Sequence, residues 1–242
     1  MKDRQTDAPD IGLYDWGPSP FCLKVRAILD YKGVAYRRIP VLGPRLFELR
    51  RRGRVGKVPA LEIDGRLVTD STDIAHELER LFPAPGILPA DPRARAQCHV
   101  IEDWADEALY FINLHFQWID PEGARMLPLA FGKNPFGRAA LAFYRRRIRS
   151  QVVGQGTGRK PPERIAADLE RELDAVDAMV APSPYLLGGQ PMLCDFALMG
   201  QLVYLSRTPK GGRALARRPG IGAYLERMRA LRPAVSPKAA SA

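Results

Sequence analysis

The sequence predicts an α/β domain of order βαβαββα followed by an all-α domain. Three observations carry that prediction. Up to about residue 81, short apolar runs of strand length alternate with runs spaced at three and four residues. A break then follows at Pro83-Ala84-Pro85-Gly86 and Pro89-Ala90-Asp91-Pro92, where prolines mark a linker rather than an element. Beyond it the apolar residues keep helical spacing and almost no strand signal remains. The expected domains are therefore 10–83 and 92–232.

Residues 11–15 read as a first strand. Ser19 to Lys32 reads as a helix, with Pro20 in the first turn where a missing N–H costs nothing, and Gly33 as its stop. Val34 to Val41 alternates as a second strand, and residues 44–52 fit a short helix. Leu61–Ile63 and Leu67–Val68 flank Asp64-Gly65, a two-residue hairpin signal. Asp70 or Ser71 then caps a helix through Leu81. In the second domain, 93–118 is one long helix with Ile101, Trp104, Ala108 and Phe111 on a stripe. Further helices fall at 136–153, along Ile165, Leu169, Leu173, Val176 and Val180, at 193–206 and at 219–231. The tail from Pro233 is small and polar, so fraying is expected there.

Composition narrows the function classes. The chain has 242 residues, of which 46% are hydrophobic, enough for a substantial core. No apolar run approaches the roughly 18 residues of a membrane helix, and Met1–Asp10 is polar, so a soluble, unexported protein is expected, with no membrane partner. Three cysteines far apart, Cys22, Cys98 and Cys194, suggest no disulfide framework and a reducing cytoplasm. The three histidines have no metal-ligand spacing, so no metal is expected. The formal charge is +10, with clusters at Arg50–Arg54 and Arg145–Arg149. Such clusters attract nucleic acid, but no nucleic-acid motif accompanies them, and an arginine-rich solvated surface accounts for them.

Two blocks carry chemistry. In Trp16-Gly17-Pro18-Ser19-Pro20-Phe21-Cys22-Leu23-Lys24-Val25-Arg26 a strand hands over to a helix. The Ser19 hydroxyl would stand at the helix N-terminus, a place that stabilises thiolates and other anions. This block resembles the active-site turn of thioredoxin-like proteins, where Cys-Pro-Phe/Tyr-Cys is usual; Ser19 replaces the first cysteine and Cys22 keeps the second. The second block is Lys57-Val58-Pro59-Ala60-Leu61-Glu62-Ile63-Asp64-Gly65-Arg66-Leu67-Val68-Thr69-Asp70-Ser71. It resembles the Val-Pro-Ala-Leu strand, hairpin and acidic-Ser turn of the glutathione S-transferase superfamily. In this order and spacing the two blocks together resemble that superfamily, whose layout is a thioredoxin-like domain followed by a helical bundle.

The resemblance implies glutathione as co-substrate, with its thiolate conjugated to an electrophilic small molecule. Ser19 would be the catalytic residue, donating a hydrogen bond to the sulfur; a plain helix cap is the simpler reading of the same residue. Cys22 would match the resolving cysteine. Without a first cysteine it has no intramolecular partner, so packing is its expected role and mixed-disulfide chemistry with glutathione the alternative. The matching proline of the fold is cis, which implies that Val58 pairs through its main chain with the cysteinyl part of glutathione. Ser71 would hold the γ-glutamyl carboxylate and Asp70 its ammonium. Lys57, or an arginine from residues 45–54, would meet the glycine carboxylate. Tyr110, Phe111 and His115 are candidates for a second-substrate pocket, although core packing is the simpler reading of such residues.

The second domain adds to the resemblance. Pro184 to Phe196 is similar to the family's turn into a buried helix, but Met192 stands where Ser or Thr usually completes a capping box with Asp195. Gln155-Gly156-Thr157-Gly158-Arg159 and the stripe around Trp104 resemble the metaxin and Fax-like branch. The resemblance also implies a homodimer. Two further readings stay open: a non-catalytic member that binds a protein partner, and a glutathione-linked disulfide reductase using Cys22.

Overall fold

The computed structural model describes residues 9–41, 44–53, 56–127 and 134–231. Arg54 and the tail from Pro233, both named above, lie outside them. The described chain forms two compact units, one running through Ile87 and the other Leu88–Ala230.

The first unit has the expected order. Strand β1 (Ile11–Asp15) is followed by α1 (Pro20–Tyr31), β2 (Arg37–Pro40), α2 (Pro44–Gly53), β3 (Ala60–Ile63), β4 (Arg66–Thr69) and α3 (Ser71–Leu81). The sheet order is β2-β1-β3-β4, with β1 parallel to β2 and the other pairs antiparallel. This is the mixed sheet of a thioredoxin-like domain. All five β1 residues are buried, as befits an inner strand with both faces covered. Tyr14, Val41 and Ala60 cluster with Leu49 of α2 on one face. Leu13 and Leu61, opposite each other in register, face the other way, toward the layer of α1 and α3. The β3–β4 hairpin turns at Asp64 (φ 48°) and Gly65 (φ 82°), both positive as a type I′ turn requires.

Strand β2 is shorter than the alternation of Val34–Val41 suggests, because it is an edge strand that pairs with β1 alone. Lys32, just past α1, closes the end of the unit. Its ammonium donates to Glu79 Oε2 (2.6 Å), Phe82 O (2.7 Å) and Pro85 O (2.8 Å), so each of its three N–H groups has an acceptor.

The second unit is all-α, as expected. It comprises α4 (Pro92–Asp103), a π-helical segment Trp104–Leu109, α5 (Tyr110–Leu114), a second π-helical segment His115–Ile119 and α6 (Pro121–Ala124). Then come α7 (Pro135–Gln155), α8 (Pro162–Val180), α9 (Leu193–Leu205), α10 (Pro209–Ala216) and α11 (Pro219–Ala230). The same start recurs: a polar cap followed by proline, as in Asp91-Pro92, Asn134-Pro135 and Thr208-Pro209. Helix α9 is apolar nearly all round and buried nearly throughout, the spine of this unit.

Two details correct the sequence-based expectation. The stripe Ile101, Trp104, Ala108 and Phe111 is only half-buried; the buried face is Cys98, Glu102, Ala105, Leu109 and Ile112, one residue round the helix. Helices α6 and α10 were not foreseen. Gly123 of α6 lies so close to the Phe116 carbonyl that a Cβ would collide with it. Gln155–Arg159 is a helix stop: Gly156 takes φ 118°, and Gln155 Oε1 accepts from the Thr157 N–H (3.0 Å) and hydroxyl (2.7 Å). Among the described residues, no helix is long and apolar enough to cross a membrane.

Candidate functional site

The register of the sheet brings three loops to one end of the first unit. Tyr14 lies opposite Ala60, and Ala60 opposite Thr69. The chain leaving β1 toward Ser19, the chain entering β3 from Val58-Pro59 and the chain leaving β4 at Asp70 therefore emerge together. Two helices, α1 and α3, begin at the same end, so two sets of unpaired N–H groups and two positive dipole ends serve it.

Ser19 is the N-cap of α1. Its backbone is extended (φ −68°, ψ 128°), and its Oγ accepts from Cys22 N–H at 3.3 Å. The hydroxyl acts there as acceptor, and a serine hydroxyl has a proton to donate besides. Capping and donation to a ligand are therefore compatible in one side chain. The turn before it is fixed twice: Ser19 N–H donates to Trp16 O (2.9 Å), and Arg26 Nη2 to Gly17 O (3.3 Å). Arg26 also pairs with the buried Asp15 carboxylate, whose other oxygen takes Arg38.

Cys22 is fully buried one turn into α1. Its Sγ accepts from Trp16 N–H at 3.4 Å. Burial pushes its thiol up to about 11, against the smaller opposing pull of the Trp16 and Ser19 hydrogen bonds. At neutral pH it is a thiol and a packing residue.

The Val58–Pro59 peptide is cis. Val58 is half-buried, and among the described residues no hydrogen bond engages its N–H or C=O. Asp70 caps α3, its Oδ1 accepting from Thr72 N–H at 2.9 Å, yet its backbone sits at φ 77°, ψ 133°. A non-glycine residue in that region is strained by roughly 1–3 kcal/mol, and such strain collects at functional sites. Ser71 beside it is buried.

Sequence reasoning missed Lys24. Its side chain is fully buried on α1, and its Nζ lies 3.3 Å from Thr72 Oγ1 at the start of α3. The available signal was its position on the apolar face, between Phe21 and Ile28 at helical spacing. The basic residues around α2 divide. Arg52 is committed to Glu62 (3.0 Å) and the Tyr14 hydroxyl (2.6 Å). Lys57 is exposed, and Arg51 lines an open surface cavity of about 490 Å³ with Phe47, Glu48 and Arg52.

In the second unit, Tyr110 and Phe111 are half-buried against a cluster of Leu114, Trp118, Leu127, Val152 and Tyr204. His115 is buried, neither ring nitrogen has a hydrogen-bond partner among the described residues, and burial lowers its pKa. Asp195, wholly buried, accepts from Met192 N–H (2.8 Å), Leu186 N–H (3.0 Å) and the Tyr224 hydroxyl (3.1 Å). Two of those bonds hold the turn into α9 without a hydroxyl at position 192. Among the described residues no group of His, Cys, Asp and Glu is arranged to hold a metal ion.

Residues 13–86 match the family described as "Glutathione S-transferase, N-terminal domain", and residues 162–227 match "Glutathione S-transferase, C-terminal domain". Maleylacetoacetate isomerase of Rhizobium meliloti (strain 1021) is 36% identical over 199 residues, 81% of each chain. The chain belongs to the glutathione S-transferase superfamily. Isoprene-epoxide–glutathione S-transferase of Rhodococcus sp. (strain AD45) is 26% identical over 220 residues, 87% of this chain and 91% of that one. Protein LigF of Sphingobium sp. is 40% identical over 102 residues, 39% of each chain. The crystal structure of beta-etherase LigF superposes with a TM-score of 0.68 at 23% identity, over 91% of this chain and 95% of that one. By fold and relatives this is a glutathione S-transferase-like enzyme, of a family that uses glutathione.

Proposed function

We propose that the protein binds glutathione at the sheet end where Ser19, Val58 and Asp70 converge, and joins its thiolate to an electrophilic small molecule. The convergence itself carries the reading: a capping hydroxyl at the N-terminus of α1 and a strained acidic cap at that of α3 stand at the same sheet end as Val58, whose N–H and C=O have no hydrogen-bond partner among the described residues. In this reading Val58 N–H and C=O pair with the cysteinyl peptide. Ser71 and the α3 N-terminus take the γ-glutamyl carboxylate, and Asp70 its ammonium. Lys57 or Arg51 meets the glycine carboxylate, since Arg52 is already engaged.

A free thiol has a pKa of about 8.5, so only a few per cent is thiolate at neutral pH. Lowering it by two units takes ~3 kcal/mol, within reach of one hydroxyl donor and a helix N-terminus. The thiolate attacks electrophilic carbon, a C–S bond forms, and the displaced electron pair leaves on the departing group or opened ring. The burial of Cys22 and its raised pKa argue against the disulfide-reductase alternative. Relatives named as isomerases favour a second reading, in which the thiolate adds and is later expelled. Consumption of glutathione separates the two, because an isomerase regenerates it.

Calorimetric titration with glutathione tests the site. Ser19→Ala is expected to cut turnover roughly ten- to hundredfold, ~1.5–3 kcal/mol, with a smaller effect on ground-state affinity. Ser71→Ala is expected to weaken binding by ~1–3 kcal/mol in a protein that still folds. An unchanged rate–pH profile in the Ser19 variant removes that residue from the mechanism. A folded protein that neither binds glutathione nor turns over an electrophile leaves the non-catalytic scaffold instead.

A further inference from the structure

Cys98 and Cys194, 96 residues apart in the chain, meet in the fold. Cys98 lies on the buried face of α4, and Cys194 lies in the first turn of α9, the helix that α4 packs against. Both are free thiols and both are fully buried. The Cys194 N–H belongs to the first turn of α9, so no carbonyl of its own helix can accept it. The Cys98 sulfur takes it instead, at 3.4 Å. That contact places the Cys98 sulfur within about 5 Å of the Cys194 Cα, inside the reach of a disulfide. The Cys194 thiol has two acceptors beside it: Asp195 Oδ2 at 3.9 Å and the Cys98 sulfur itself.

The two sulfurs are not equivalent. The hydrogen bond from the Cys194 thiol holds Cys98 below the usual thiol range, against burial and the negative charges of Asp195 and Glu102. Donating that bond pushes Cys194 up, and burial and Asp195 push it the same way. The positive end of α9 also favours a thiolate on Cys98.

We propose that Cys98 and Cys194 form an intramolecular disulfide that clamps α4 to α9 when a hydroperoxide is present. Ionised Cys98 attacks one oxygen of hydrogen peroxide. The O–O bond breaks, hydroxide leaves, and Cys98 becomes a sulfenic acid. The Cys194 thiol gives its proton to that hydroxide, and its sulfur attacks the Cys98 sulfur. The S–O bond breaks, a second hydroxide leaves with the electron pair, and the S–S bond forms. The proton first lost by Cys98 neutralises the second hydroxide. Two thiols and one peroxide thus become one disulfide and two waters, the thiols giving up the two electrons that reduce the peroxide. Burial selects the oxidant: hydrogen peroxide is little larger than water and enters through local opening of the fold. In a reducing compartment the pair rests as two thiols. The bridge closes a loop that takes in most of the second unit, and long loops restrict the unfolded chain most.

The test uses the full chain, freed of reductant and exposed to hydrogen peroxide. Remaining thiols are alkylated in denaturant, and a non-reduced digest is read by mass spectrometry. The expected result is a linked pair of peptides carrying Cys98 and Cys194, lighter by two hydrogens than their sum, with Cys22 alkylated. The oxidised protein should melt roughly 5–15 °C above the reduced one, and chemical reduction should abolish the shift. Cys194→Ala should remove both the linked pair and the shift, and leave Cys98 to proceed to sulfinic acid. The digest of the unmodified protein decides the linkage without any variant, so a variant that fails to fold does not affect it. Four results overturn the proposal: three alkylated cysteines after peroxide; Cys98 recovered only as sulfinic or sulfonic acid; a Cys98 linkage between two chains; or a linked protein that melts no higher than the reduced one.

Discussion

Asp70 holds an uncomfortable backbone and a useful side chain at once. At φ 77° only glycine is free of steric cost, and the strain amounts to roughly 1–3 kcal/mol. Its carboxylate meanwhile caps α3 through Thr72 N–H. The two roles separate by substitution. Asp70→Gly relieves the strain and gives up only a few tenths of a kcal/mol as a cap, although glycine gains freedom in the unfolded chain. Asp70→Ala keeps the strain and loses the cap, worth ~1 kcal/mol. The glycine variant should therefore be the more stable of the two by about 1 kcal/mol or more in urea unfolding, while both bind glutathione ~1–3 kcal/mol more weakly than the parent. Equal stability of the two variants would show that no strain is stored at this position. The Asp-Ser pair was legible in the sequence; the positive φ was not, because nothing in the residue type predicts it. Ser19 was legible as a cap for the opposite reason: Ser-Pro before an apolar helix has a local explanation.

Elements show where sequence reasoning holds. The Asp64-Gly65 turn, the capped prolines and the all-round apolar α9 are decided by neighbours within a few residues, and each folds as its pattern says. The face of α4 is decided by what packs against it from far away. Glu102 gives no apolar signal, yet it lies with Cys98 on the buried side against α9, and Trp104 and Phe111 lie half out. Helix α10 hid behind Gly211-Gly212, although Thr208-Pro209 announced its start; Thr208 Oγ1 accepts from Gly211 N–H at 3.0 Å. Helix α8 carries an electrostatic device with a measurable signature. The Asp168 carboxylate, itself buried, takes Lys160 (2.7 Å), Arg164 (3.0 Å) and Arg171 (2.8 Å). These partners, Lys160 foremost, hold it down from 3.8 to about 2. A depressed carboxylate stabilises the fold above its unfolded pKa and loses that contribution as pH falls through the folded one. The three cations are largely exposed, so the contribution is about 1–2 kcal/mol after screening. Asp168→Asn should thus be less stable than the parent at pH 7, and the gap should close between about pH 4 and pH 2. A gap that persists at pH 2 would assign the loss to packing rather than charge.

At the scale of the whole molecule the formal charge of +10 acts on self-association. We expect a homodimer, since two-fold pairing is the commonest oligomer and the superfamily resemblance implies it. A stable interface buries ~1,200–2,000 Å² in total, and its affinity rests on apolar contact that salt scarcely weakens. The long-range term between two like-charged copies is repulsive, and added salt removes it, because the Debye length shrinks from ~14 Å at 0.05 M to ~4 Å at 0.5 M. The dimer should therefore tighten or hold as ionic strength rises. Sedimentation equilibrium across a salt series reads that slope. A dimer that dissociates as salt rises would mean that cationic groups of one copy pair with acidic groups of the other, and a single species of monomer mass at micromolar concentration would remove the dimer altogether.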